Sequence, residues 1–169
     1  FLALVDAAGH SAERLLVLLD QLPYFHDVHQ WREPATGLPI GVPLYKRAQI
    51  SAYDLAVAFG HAGPGRFDDL DRLTMFADNL VPHVLRLAGV LAYDDALLAR
   101  IQADELLEHD PVEEVEIRAV AVHAVEQVVA ALHDQGLTDA TAGQVDMALW
   151  HRGSRPEAKA HKRHRCRTT

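Results

Sequence analysis

The sequence predicts an all-α fold, and three observations carry that prediction. Apolar residues recur at three- and four-residue spacing almost everywhere. Capping and stop residues punctuate those stripes where helix ends should fall. No stretch shows period-2 alternation flanked by hairpin turns. With 49% hydrophobic residues in 169 positions, the chain can bury one sizeable core. A single orthogonal helical bundle without internal repeats is expected.

The elements follow in order. Leu15, Leu16, Leu18 and Leu19 mark a helix over roughly 11–22, with Ser11 as N-cap and Pro23 beyond its end. Residues 32–43, REPATGLPIGVP, hold three prolines and two glycines and read as a loop. A helix over roughly 44–60 buries Ile50 and Leu55 and is closed by Gly60, and HAGPG at 61–65 is a turn. The next runs from about 78 to 88 with Gly89 past its end, and Asp94 or Asp95 opens another over ALLARIQADELL. Pro111 stands at N1 of a long helix, roughly 111–134, with Glu113, Glu114 and Glu116 in its first turns, and Gly136 stops it. A last helix, about 138–152, carries Val145, Met147, Leu149 and Trp150.

Composition narrows the function. The net charge of −8 is unevenly spread: residues 152–169 hold seven cations against Glu157 alone, leaving 9 basic and 23 acidic side chains in residues 1–151. The chain is therefore divided into a helical domain over 1–151 and a basic tail over 152–169. An acidic body lacks the basic face that broad nucleic-acid contact needs, so direct nucleic-acid binding is not expected. The single cysteine, Cys166, excludes an internal disulfide framework and fits a reducing compartment. No run approaches the roughly 18–20 apolar residues of a membrane span, and the opening FLALVDAAGH lacks a signal peptide's basic start. A cytoplasmic protein with no membrane partner is expected. Phe1 in place of methionine suggests a processed chain or a piece of a longer one.

Metal and standard nucleophile chemistry find little support. His26 with His29, and His161 with His164, have i,i+3 spacing but no HExxH or cysteine-rich companion. There is no nucleophile elbow, GxGxxG or P-loop. Neither a metal nor a cofactor is expected.

Four stretches combine charge with apolar neighbours. YKRAQISAYD, at 45–54, starts a helix with Lys46 and Arg47, cations that oppose the macrodipole and call for an acidic neighbour or a bound phosphate. LTMFAD ends in Asp78 among apolar residues, where it is an N-cap, a salt-bridge partner or a ligand-binding group. In PVEEVEIR, Glu114 and Arg118 share a helix face, while Glu116 lies on another. QVDMALWHRG places Asp146 before Met147, Trp150 and His151. A carboxylate beside an aromatic ring can accept the N–H groups of a planar base, or stabilise a developing sugar cation.

Together, YKRAQI, LTMFAD-x-x-VP-x-VL, EVEIR and D-x-x-LW, closed by HR-x-R, resemble the queuosine salvage protein family over nearly the whole chain. The resemblance implies an all-α fold similar to helical DNA glycosylases, and hydrolysis of the N-glycosidic bond of queuosine 5′-monophosphate. The product, queuine, would return to tRNA. It further implies base binding by Phe76 and Asp78, with Asp146 and Met147 as a second contact, and Trp150 is expected to line the same substrate pocket. Lys46 and Arg47 would hold the cluster or the 5′-phosphate. Asp146 and Asp78 are the catalytic candidates. His151 stands where the family pattern can carry an acid, and a neutral imidazole there can orient water but supplies no negative charge. The match begins inside the family's usual length. The alternative is thus a weakened or inactive truncated homologue, acting as a base-binding or helical interaction module and oligomerising through the surface left by the absent part.

Overall fold

The computed structural model describes residues 1–107 and 112–166. Its elements are α1 (Leu2–Ala8), α2 (Ala12–Asp20), β1 (Val28–Arg32), β2 (Pro39–Pro43), α3 (Lys46–Ala58), α4 (Val81–Leu87), α5 (Asp95–Gln102), α6 (Val112–Asp134), α7 (Ala142–Gly153) and α8 (Pro156–Lys159). Local chemistry explains the ends. Ser11 accepts the Arg14 amide, Asp94 accepts that of Leu97, and Thr141 forms a capping box with Gln144. Gly136, at φ 90°, lies just beyond α6. Pro111, expected at N1 of that helix, lies outside the described residues, as does the end of the expected tail beyond Cys166.

The protein is mostly helical, as expected, and adds one small two-stranded sheet. The expected loop at 32–43 instead closes an antiparallel hairpin in which His29 faces Val42 and Trp31 faces Ile40. Of its three prolines, Pro34 lies in the turn and Pro39 and Pro43 occupy the two ends of β2, where a missing N–H does least harm. A side chain makes the turn: Glu33 accepts the amides of Ala35 and Thr36, and Gly37 adopts φ 68°. The strands carry little alternation because they form a surface flap. Trp31 Nε1 donates to Glu116 at 2.8 Å and ties the flap to α6. Helix α1 also lay outside the expected elements; its two buried residues, Val5 and Ala8, leave only a thin stripe.

Two large apolar groups and a smaller one, Leu97, Ile101, Leu107 and Ile117, build the core. Val5, Leu15, Leu19, Ala48 and Ala52 join α1, α2 and α3. Val81, Leu85, Ala121, Val125 and Ala142 join α4, α6 and α7. Between them runs an extended segment over residues 73–78. Phe76 enters the first group, while Met75 and Ala77 enter the second. From Met75 to Ala77 neighbouring side chains thus point opposite ways, as in a strand.

The basic segment lies against the body. Within α4, His83 Nε2 donates to the Ala158 carbonyl at 3.2 Å and Arg86 donates to the Lys162 carbonyl. The Leu107 amide donates to the Arg165 carbonyl at 2.7 Å. Among the described residues, no helix is long and apolar enough to cross a membrane.

Candidate active site

A strand-like segment buried without a partner strand needs other hydrogen-bond partners, because an orphaned backbone group costs free energy comparable to a lost hydrogen bond. Side chains from three helices supply them. Gln49 of α3 accepts the Thr74 amide at 2.9 Å. Asp146 of α7 accepts the Phe76 amide at 3.0 Å. Arg118 of α6 donates Nε–H to the Ala77 carbonyl at 2.7 Å. These polar residues stand in for a β-ladder, which explains a buried acid in α7 and a buried guanidinium in α6.

The segment emptying into Asp78 forms one wall of a cleft of about 320 Å³. Helix α3 contributes Lys46, Ile50 and Asp54, the segment contributes Phe76 and Asp78, and α7 contributes Asp146, Met147 and Trp150. Asp78 does two things at once. Its Oδ1 accepts the amides of Leu80 and Val81 at the start of α4, at 2.9 and 2.8 Å, while the residue also faces the cleft. Asp146 is only 3% exposed. Burial, then the charge of Asp78, pushes its pKa up to about 7, against the opposing pull of the Phe76 amide and Lys46. The site therefore sets a buried carboxyl group of raised proton affinity, Asp146, beside a second acid, Asp78.

The aromatic residues divide similarly. Phe76 is buried, its ring 5.2 Å from that of Tyr53, so it forms the cleft's floor. Trp150 is 42% exposed and flanks the mouth. His151 does not line the cleft; its ring stands edge-on to Trp150 at 5.5 Å. Arg47 also faces away, donating to the Tyr24 carbonyl at 3.1 Å with its guanidinium over the Tyr24 ring. Of the two adjacent cations, only Lys46 reaches the cleft. Among the described residues, no group of three His, Cys, Asp or Glu could hold a metal ion.

Behind the cleft lies a polar hub. Arg118 is fully buried and donates Nη2–H to Asp27 Oδ2 at 2.6 Å. The same oxygen accepts the Lys46 amide at 2.9 Å, and His29 Nε2 lies 2.7 Å from Asp27 Oδ1. The Nε2 proton faces that carboxylate, so the 3.0 Å approach of Arg118 Nη1 to the same nitrogen is a contact and not a second bond. Burial alone would raise the Asp27 pKa; the bonds from His29 and Arg118, with the arginine's charge, outweigh it and hold the carboxyl far below its ordinary range. Through this hub Arg118 ties the Asp78 segment to the start of α3.

Two of these residues escaped the sequence reading. Asp54 was recoverable, because Lys46, Ile50 and Asp54 at i, i+4 and i+8 share one helix face. Asp27 was not, since 91 positions separate it from Arg118.

The whole chain, residues 1–169, matches the family model described as queuosine salvage protein. A protein of Sphaerobacter thermophilus named queuosine 5′-phosphate N-glycosylase/hydrolase is 41% identical over 165 residues, covering 97% of this chain and 49% of that protein. Proteins of the same name from Schizosaccharomyces pombe and Dictyostelium discoideum are 32% and 39% identical, over 96% and 73% of this chain. The chain spans half or less of the length of these curated relatives, 44% and 38% in the latter two.

Proposed function

The chain belongs to the queuosine salvage protein family, and we propose that its cleft hydrolyses the N-glycosidic bond of queuosine 5′-phosphate, releasing queuine. One observation carries this reading. Two carboxyl groups from different elements face one aromatic-walled cleft, and Asp146 keeps its proton up to about pH 7. In the proposed reaction the bond from C1′ to the base nitrogen breaks with its electron pair leaving on the base. The sugar develops positive charge, which the carboxylate of Asp78 stabilises. Asp146 transfers its proton to the departing base. Water adds hydroxide to C1′, and its remaining proton restores the acid. Phe76, Met147 and Trp150 hold the base, and Lys46 the phosphate side of the nucleotide.

The same reading treats residues 1–151 as a helical domain like that of the helical DNA glycosylases, residues 152–169 as its basic extension, and the cytoplasm as its location. It needs no metal, cofactor or nucleic-acid contact.

The test is incubation of the purified chain with queuosine 5′-monophosphate, with free queuine followed by mass spectrometry. Release that Asp78→Asn and Asp146→Asn each abolish is the expected result. No release from a folded chain overturns the hydrolase reading. The placement of His151 outside the cleft lining favours a second reading, a pocket that binds the base without cleaving it. Calorimetric titration with queuine separates the two: binding without release leaves only the second.

A further inference from the structure

Asp54 enters the cleft from α3 two turns after Lys46, a rise of roughly 12 Å along the helix. It is exposed at the rim, and no hydrogen bond or ion pair engages its carboxylate among the described residues. The other two acids are committed: Asp78 Oδ1 to the amides of Leu80 and Val81, Asp146 Oδ1 to that of Phe76. Three carboxyl groups face a single ammonium in this space. Even with the proton held on Asp146, Asp54 and Asp78 outnumber the Lys46 ammonium, so the space accommodates positive charge as well as a phosphate, and it is polarised: the ammonium at one end of the α3 face, the unengaged carboxyl group at the other, with apolar Ile50 between.

Queuosine 5′-phosphate carries both charges. The phosphate is on the 5′ carbon, while the arm on C7 of the 7-deazaguanine ring holds a secondary amine that is protonated at neutral pH. We infer that Asp54 recognises this ammonium and makes the cleft selective for bases with a 7-aminomethyl arm. The inference rests on the cleft being the queuosine nucleotide site. The ligand then lies along α3 with its phosphate toward Lys46 and its arm toward Asp54, which leaves Asp78 and Asp146 beside the sugar and the ring.

Three bases test it by calorimetry on the full chain: queuine, 7-aminomethyl-7-deazaguanine, and 7-deazaguanine, which lacks the amine. Asp54→Asn is expected to weaken the first two about fivefold and to leave the third within about twofold, the size of a partly exposed ion pair. Asp54→Glu, which restores the charge, should recover most of the loss. Raising salt should erode the wild-type preference for the amines but not the affinity for 7-deazaguanine. Equal effects on all three bases, or unchanged queuine affinity, overturn the assignment and leave the cleft reading intact. Failure of the folded wild-type chain to bind any of the three overturns both.

Discussion

Asp78 and Asp146 differ in what holds them, and the difference is measurable. Asp146 has a folded pKa of about 7 against an ordinary value of 3.8. Between those values the unfolded chain has released this proton while the folded chain keeps it. Stability is therefore lost as pH rises from about 4 to 7, by at most roughly 4 kcal/mol. Asp146→Asn removes the titrating group, so its stability relative to wild type should improve with rising pH, as urea unfolding at pH 4, 6 and 8 would read. Asn at position 78 keeps an oxygen for the amides of Leu80 and Val81 but loses the charge. Asp78→Asn should thus stay within about 0.5 kcal/mol of wild type while the Asp146 carboxyl titrates at lower pH by NMR. An unmoved titration would show that the two acids are not coupled.

At the scale of elements, the cleft exists because an extended segment is threaded between two apolar groups and held by side chains. Arg118 is its most connected support, bonded to both the Ala77 carbonyl and Asp27. Arg118→Met leaves the buried Asp27 without its charged partner, and unfolding by urea should show a loss of about 3–5 kcal/mol. Lysine should not rescue it, because a single ammonium cannot reproduce the guanidinium fork. Close approach of α7 matters as well. A Cβ on Gly143 would meet the Tyr53 ring at 2.9 Å and Phe76 at 3.4 Å, so Gly143→Ala should displace the floor of the cleft. The expected cost is about 1–3 kcal/mol in a thermal melt, the usual size of overpacking, with weaker base binding.

Across the whole molecule, the acidic body and the basic segment form one packed unit. Deleting residues 156–169 removes the Ala158 carbonyl bonded to His83 and the Arg165 carbonyl bonded to the Leu107 amide; the melting temperature should fall, and an unchanged melt would show the segment to be a passive appendage. At acid pH the Asp27 hub acts in the opposite sense to Asp146. Its carboxyl is held below the ordinary range, so its contribution is present above that range and lost as pH falls through the lowered value. Local chemistry determined much of this protein from sequence alone: the caps at Ser11 and Asp94, the stop at Gly136, and the helical stripes are all set by residues within a turn of one another. The acids of LTMFAD and QVDMALW were legible as site candidates because each interrupts an apolar run. Tertiary structure alone decided that Asp146 reaches the Phe76 amide 70 positions away, that Arg47 turns toward Tyr24 while Lys46 faces the cleft, and that a proline-rich stretch closes a hairpin on α6. Periodicity reports which face of an element is apolar. The partner that satisfies a buried backbone group or charge comes from elsewhere in the chain, and only packing brings it there.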